Sequence, residues 1–123
     1  MEQNSFIASA WSNGRTNNET GAGYGLRIKT RDRDRVFNEN EWRKPVTLKL
    51  VGNRKSCEVT VSIDNDCFWN SCPEFRDQGI GLWFIENKFI NKKPGSRPWP
   101  YHKPPKFQIV PVGKHRFKVN PAP

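Results

Sequence analysis

The chain has 123 residues, of which 34% are apolar, and its 21 Lys and Arg outnumber its 12 Asp and Glu. This length predicts one domain over residues 1–123, and five Trp and eight Phe supply apolar surface for a core, which argues against disorder. No run approaches the roughly 18 apolar residues of a membrane span, and the N-terminus lacks the basic and apolar regions of a signal peptide. We therefore expect a cytoplasmic protein that makes no membrane contact.

The residue composition favours β-strands over helices. Val, Ile, Phe, Trp, Tyr and Thr total 35 residues, whereas Ala, Leu and Met total 9. We predict a mainly β fold with a minor α component: an antiparallel sheet of five to seven strands, with one or two short helices around 31–37 and 73–87. Closing this sheet as an open or pseudo-barrel removes most of the exposed edges that a small chain cannot otherwise cover.

The N-terminal segment predicts two strands and a short helix. Loose alternation over 6–11 indicates the first strand, and the polar residues 12–23 follow as a loop rich in turn formers. Residues 24–30 alternate between apolar and basic side chains, a period of two that is typical of a half-buried strand. Thr30 is the expected cap of the helix over 31–37.

Two hairpins are predicted further along the chain. The first joins strands at 46–51 and 57–63 through the connection 52–55, and the second joins strands at 107–110 and 116–119. Between the hairpins, residues 73–87 carry apolar side chains at helical spacing, and we expect a helix that bends at its two glycines. Pro73 suits its first turn.

The alternative for this middle segment is a third hairpin that pairs 82–85 with 89–90. Residues 91–106 contain five Pro and are expected to form a basic loop without regular structure.

Positive charge is concentrated in the last third of the sequence. Residues 1–87 hold 12 basic and 12 acidic side chains, whereas residues 88–123 hold nine cations and no acid. A solvated surface normally mixes both signs, because unbalanced charge repels itself. This distribution predicts a polyanionic partner.

The loop 91–106 combines cations with aromatic side chains. Trp99 and Tyr101 offer faces on which nucleic-acid bases can stack, and cations can contact phosphates. The alternative is that Trp99 packs into the core while the cations only solvate the loop. The candidate contacts with nucleic acid in this loop are Lys92, Lys93, Arg97, Trp99, Tyr101, His102, Lys103 and Lys106.

Two further candidate sites lie nearer the N-terminus. In the loop 12–23, Arg15 and Asn17 are residue types that read base edges, although the same residues are ordinary turn formers. A second basic site is a run of alternating cations in which Asp32 and Asp34 can neutralise much of the charge by local pairing. Its members are Arg27, Lys29, Arg31, Arg33 and Arg35.

A metal-dependent nuclease is the catalytic alternative. Asp64 and Asp66 at a strand end, with Glu86 and Lys88 spaced as Glu-x-Lys, can imitate the carboxylates and lysine of a restriction-type nuclease. This hypothesis requires that the four residues converge and that Glu86 and Lys88 lie on a strand. Motifs for nucleotide binding and hydrolysis are absent, so we expect no catalytic residue and no cofactor.

The three cysteines allow one further alternative. Cys57, Cys67 and Cys72 with a His could form a zinc site, but the spacing of Cys67 and Cys72 does not match a short metal knuckle. The odd count also argues against a disulfide framework. We therefore expect reduced, buried structural thiols and no bound metal.

Residues 17–28 (NNETGAGYGLRI) carry a resemblance to a known family. They resemble the Gly-rich turn and first barrel strand in the effector-binding domains of some restriction enzymes. Those domains have the B3-like pseudobarrel that is also found in plant transcription factors. The resemblance covers about a tenth of the chain and implies a barrel that reads DNA with two arms entering the major groove.

These observations predict a noncatalytic nucleic-acid-binding domain, with double-stranded DNA favoured over RNA. One alternative is a small metal-dependent nuclease or nuclease-associated toxin. Another is a protein-interaction module for an acidic partner. The sequence leaves the oligomeric state open.

Overall fold

A computed structural model describes residues 5–37, 39–91 and 97–122. In this part of the chain, seven strands and several short helical segments alternate. In order they are β1 (Phe6–Ser12), β2 (Tyr24–Ile28), α1 (Thr30–Val36), α2 (Glu39–Trp42), β3 (Val46–Leu50), β4 (Cys57–Val61), α3 (Asp66–Asn70), β5 (Glu74–Arg76), α4 (Gln78–Glu86), β6 (Lys106–Gly113) and β7 (Arg116–Pro121).

All seven strands belong to one mixed sheet, in the order β4-β3-β7-β6-β1-β2-β5. Every neighbouring pair is antiparallel except β3 and β7, which run parallel. The sheet curls almost into a barrel and leaves an unsealed seam between its edge strands β4 and β5. The predicted mainly β, incompletely closed barrel is thus confirmed, with one parallel contact made where the C-terminal hairpin joins the hairpin of β3 and β4.

Alternating side chains of the strands fill the interior. In β2, for example, Tyr24, Leu26 and Ile28 are buried while Arg27 is exposed, as the period of two predicts. Phe37, directly after α1, lies at the centre of an aromatic cluster. The ring centroids 5.0–6.2 Å from its own belong to Phe6, Trp42, Phe68, Phe75 and Phe117.

The prediction of one bent helix over 73–87 is wrong in its first part, and the alternative hairpin is wrong as well. Residues Glu74–Arg76 form β5, which pairs with β2 and extends the sheet by one strand. The helix α4 begins only after Asp77, whose Oδ2 accepts a hydrogen bond from the Gly79 amide at 2.8 Å. Pro73 therefore precedes a strand, and its carbonyl accepts a hydrogen bond from the Ile28 amide.

Two smaller expectations about helices also fail. Thr30 lies inside α1, and the capping position is Lys29, which makes no side-chain capping bond. The helix α3 was not expected. It is capped by Asn65, whose Oδ1 accepts from the Phe68 amide at 2.8 Å, and it places Phe68 in the core.

The cysteines are free thiols as expected, but the expectation that they are buried is wrong. Cys67 and Cys72 are exposed and Cys57 is half-buried. Burial is the main cause that raises the pKa of the Cys57 thiol above its usual value, and the negative charge of the nearby Glu86 raises this pKa further.

Within the described residues, no helix has the length and apolar character needed to cross a membrane.

Candidate nucleic-acid interface

The outward face of β1, β2 and β5 carries a cluster of charged and aromatic side chains. In β1, Phe6, Ala8 and Ala10 are buried, so Trp11 projects from the opposite face. The strand register places Trp11 opposite Gly25, and Gly25 opposite Arg76. Two residues further along β2, the register places Arg27 between Ser9 of β1 and Glu74 of β5. Polar residues from distant parts of the chain thus become neighbours.

A buried carboxylate holds two arginines on this face. The Glu74 side chain is only 1% exposed, and its Oε2 accepts hydrogen bonds from Arg27 Nε at 2.8 Å and from Arg27 Nη2. Its Oε1 accepts from Arg76 Nε at 3.0 Å and from Arg76 Nη2. These hydrogen bonds raise the pKa of Arg76 above its usual value. Two cations and one anion leave this trio with a net charge of about +1.

Trp11 lies against both guanidinium groups. The Arg76 guanidinium carbon lies 4.7 Å from the indole centroid and that of Arg27 lies 5.9 Å away, both within cation–π range. A Cβ at Gly25 would approach Trp11 Cε3 to 3.2 Å, so the missing side chain leaves room for the indole. Trp11, Glu74 and Arg76 were missed by the sequence analysis. The alternation in β1 indicated an outward Trp11, but only strand pairing brings in the other two.

The basic loop packs beside this cluster. One backbone bond attaches it to β1, because the Pro105 carbonyl accepts from the Ala10 amide at 2.9 Å. A second bond lies within the loop, where the Pro98 carbonyl accepts from the Asn91 amide at 2.7 Å. Trp99 is partly buried and packs against the core. The predicted loop without regular structure is found over residues 97–105.

Exposed side chains of this loop point away from the core. Tyr101 is 67% exposed, with the Arg97 guanidinium carbon 4.8 Å and the His102 ring centroid 3.8 Å from its ring centroid. Lys103 is exposed, whereas Lys106 begins β6 and donates from Nζ to Ser9 Oγ at 2.8 Å. The candidates Lys92 and Lys93 lie outside the described residues.

Three adjoining clefts run across this surface, and we call them together the basic face. The strand cleft, of about 770 Å³, shares Arg27 with a central cleft of about 560 Å³. The central cleft shares Arg97 and Trp99 with a loop cleft of about 770 Å³. Among the described residues, no Asp or Glu lines any of the three. The lining cations are Arg27, Lys29, Lys88, Arg97, Lys103 and Lys106.

The candidates Arg15 and Asn17, in the β1–β2 loop, lie outside the basic face. Asn17 Oδ1 accepts hydrogen bonds from the amides of Glu19 and Thr20 at 2.8 and 2.9 Å, so the turn uses both of its lone pairs. That oxygen is not free to accept from the amino group of adenine. Arg15 is exposed on the same loop, and neither residue lines the three clefts.

The run of alternating cations is divided by the fold. Arg33 is buried, bonds Asp34 at 3.0 Å and donates to the Phe68 carbonyl at 2.9 Å. Arg35 pairs with Asp32 at 3.1 Å. The expected local neutralisation therefore occurs in α1, whereas Arg27 and Lys29 join the basic face.

The residues of the nuclease hypothesis do not converge. Asp64 follows β4 and pairs with Arg43 at 3.1 Å, whereas Glu86 pairs with Lys55, which precedes β4, at 3.2 Å. The two carboxylates thus lie at opposite ends of β4, and Glu86 ends a helix instead of lying on a strand. Over residues 5–37, 39–91 and 97–122, no three His, Cys, Asp or Glu side chains cluster closely enough to hold a metal ion.

Comparison with known proteins adds no assignment. No protein-family model matches this chain, and no curated protein or solved structure matches it either. The resemblance of residues 17–28 to B3-like domains therefore stays a prediction. The function has to be inferred from the geometry of the chain itself.

Proposed function

We propose that this chain is a noncatalytic nucleic-acid-binding domain whose basic face binds double-stranded DNA. The observation that carries this proposal is the row of three adjoining clefts that are lined by six cations and by no described acid. The cations of such a surface repel one another unless a polyanion neutralises them. A nucleic-acid backbone supplies one negative charge per nucleotide along an extended path.

Aromatic side chains support nucleic acid over a simple anion. Tyr101 is exposed beside Arg97, and Trp11 is half-buried beside Arg76. Such rings pack on sugars and bases, while the lysines around them contact phosphates. Free exposed thiols at Cys67 and Cys72 agree with a cytoplasmic location, which is part of the proposal, because reduced thiols persist there.

The salt dependence of DNA binding tests the proposal. With five to six of these cations on phosphates, the slope of log K against log salt should be about −5, and a labelled 20-bp duplex should bind about 10³-fold more weakly at 200 mM than at 50 mM salt. Lys103→Ala and Arg97→Ala should each reduce the slope by about one. Lys49→Ala is the matched control, because Lys49 is an exposed cation on β3, outside the three clefts.

Each contrary result has a defined meaning. No binding at 50 mM salt, or a slope near zero, would remove DNA as the partner. Tighter binding of poly-L-glutamate than of the duplex at equal ionic strength would favour an acidic protein instead. Cleavage of DNA with Mg²⁺ or Mn²⁺ that is lost in Asp66→Ala would overturn the noncatalytic assignment.

A further inference from the structure

Arg27 has hydrogen-bond donors left over after it binds Glu74. A guanidinium carries five N–H groups in one plane. Arg27 donates Nε–H and one Nη2 hydrogen to Glu74 Oε2. The Nη1 hydrogens and the second Nη2 hydrogen meet no acceptor among the described residues. Because the guanidinium is planar, one Nη1 and one Nη2 hydrogen are parallel and form an unused fork with two donors.

Arg76 lacks this free fork. Its Nε and Nη2 donate to Glu74 Oε1, and its Nη2 also lies 3.8 Å from Cys67 Sγ. Its guanidinium covers Trp11 at 4.7 Å, closer than that of Arg27. Arg27 is therefore the arginine of the pair that can bind a ligand with both terminal nitrogens.

The surroundings of Arg27 suit directional recognition better than general attraction of phosphates. Glu74 cancels one of the two arginine charges but fixes the plane of the guanidinium, so direction is retained while net charge is reduced. Arg27 is 49% exposed and lies where the strand cleft meets the central cleft. The two other cations of the strand cleft, Lys29 and Lys106, remain for the phosphates.

We propose that Arg27 reads guanine in a duplex bound to the basic face, an inference that rests on the proposed function. In the major groove, guanine presents two acceptors, O6 and N7, whose spacing matches the terminal fork of an arginine. Adenine presents one acceptor and one donor, and the donor would oppose an N–H of Arg27. Glu74 is buried and cannot take part in the contact itself.

Selection followed by atomic substitution tests this inference. Duplexes with a randomised 12-bp core are bound to the wild-type protein at 100 mM salt, and the bound fraction is sequenced. We expect a G·C pair to be enriched at one or more positions. The dissociation constant of the best duplex is then measured with guanine and with 7-deazaguanine at that position, which replaces the N7 acceptor by C–H. The substitution should weaken wild-type binding about 5- to 100-fold.

The same pair of duplexes is measured with two variants. In Arg27→Lys the preference for guanine over 7-deazaguanine should fall at least threefold, because an ammonium lacks the planar fork with two donors, and the salt slope should stay within about one of the wild type, since the charge is kept. Arg116→Lys is the matched control: Arg116 also pairs with a carboxylate, Glu58 at 3.3 Å, is 54% exposed and lies on β7. It should keep the wild-type preference. Melting curves check that both variants fold.

The possible failures are distinguishable. If the wild-type protein binds no duplex, the proposed function fails. If it binds with the expected salt slope but enriches no guanine, or tolerates 7-deazaguanine, the inference about Arg27 is wrong and the proposed function stands. If Arg27→Lys keeps the full preference for guanine over 7-deazaguanine, another residue reads the base. The first two outcomes are measured on the wild-type protein alone, so the inference can still be refuted if a variant does not fold.

Discussion

The contact between α4 and the β1–β2 loop predicts how Gly81→Ala changes the free energy of unfolding. Helix propensity predicts an increase, whereas overlap with the loop predicts a decrease. Gly81 in α4 lies against Gly21, which has φ +81° in the loop. A Cβ on Gly81 would lie 2.0 Å from the Gly21 carbonyl oxygen and 2.7 Å from its Cα. Side-chain rotation cannot relieve this overlap, because the Cβ is fixed to the helix backbone and the atoms that it would meet belong to the loop backbone. The loop would have to move by about 1 Å, since a Cβ essentially never approaches another atom closer than 3.0 Å.

The magnitude follows from two opposing terms. Replacing Gly by Ala inside a helix stabilises it by about 1 kcal/mol, because the unfolded chain loses conformational freedom. Overpacking of a rigid contact costs about 1–3 kcal/mol, and an overlap between backbones belongs at the upper end of that range. We therefore expect Gly81→Ala to lower the free energy of unfolding by about 2 kcal/mol, whereas helix propensity alone predicts an increase.

Urea unfolding followed by tryptophan fluorescence measures this difference, and a thermal scan should show a decrease in Tm of about 8 °C. Gly113→Ala is the matched control, because a Cβ there meets nothing closer than 3.7 Å and φ is not positive. Its free energy of unfolding should change by less than about 0.5 kcal/mol. An unchanged or higher stability of Gly81→Ala would refute the close contact between α4 and the loop.

Two further predictions concern residues near the basic face and the seam. Trp99→Ala should lower the free energy of unfolding by about 2 kcal/mol, roughly half the cost for a fully buried Trp, because the ring is only partly buried against the core. Duplex affinity of the folded variant should fall less than threefold, and unchanged stability with tenfold weaker binding would show that Trp99 stacks on a base instead. Alkylation by iodoacetamide, followed by mass spectrometry from pH 7 to 9, should modify Cys57 last, because burial raises its pKa. Faster modification of Cys57 than of the exposed Cys67 would contradict this.

Strands with a regular period of two could be predicted from the sequence, whereas elements defined by distant pairing could not. The strands β2, β3 and β4 show alternation over five residues each, and a hairpin joins the last two. The strand β5 is only three residues long, too short to show a period. It forms because its Phe75 pairs with Leu26 of β2, which joins segments about fifty residues apart in the sequence. Local helical spacing in 73–87 extended the predicted helix over it.

The candidate site shows the same division. The basic loop was visible because its composition is local: cations, prolines and aromatics in one acid-free segment. The cluster of Trp11, Arg27, Glu74 and Arg76 was not visible, because only Arg27 belongs to a pattern in its own segment, the run of alternating cations. Only the order of β1, β2 and β5 in the sheet makes them neighbours. Sequence patterns show which face a residue takes, and the topology decides which residues share it.

The charge of the basic face illustrates why counting charges along the chain is insufficient. Residues 1–87 are formally neutral, yet they contribute Arg27 and Lys29 to the acid-free surface. Their balancing carboxylates lie elsewhere. Some pair with other cations, as Asp64 does with Arg43 and Glu86 with Lys55, and Glu74 is buried beneath its two arginines. Folding therefore separates charges that cancel in the sequence. A segment with no net charge can therefore contribute cations to one face, and the basic face extends beyond the C-terminal segment for this reason.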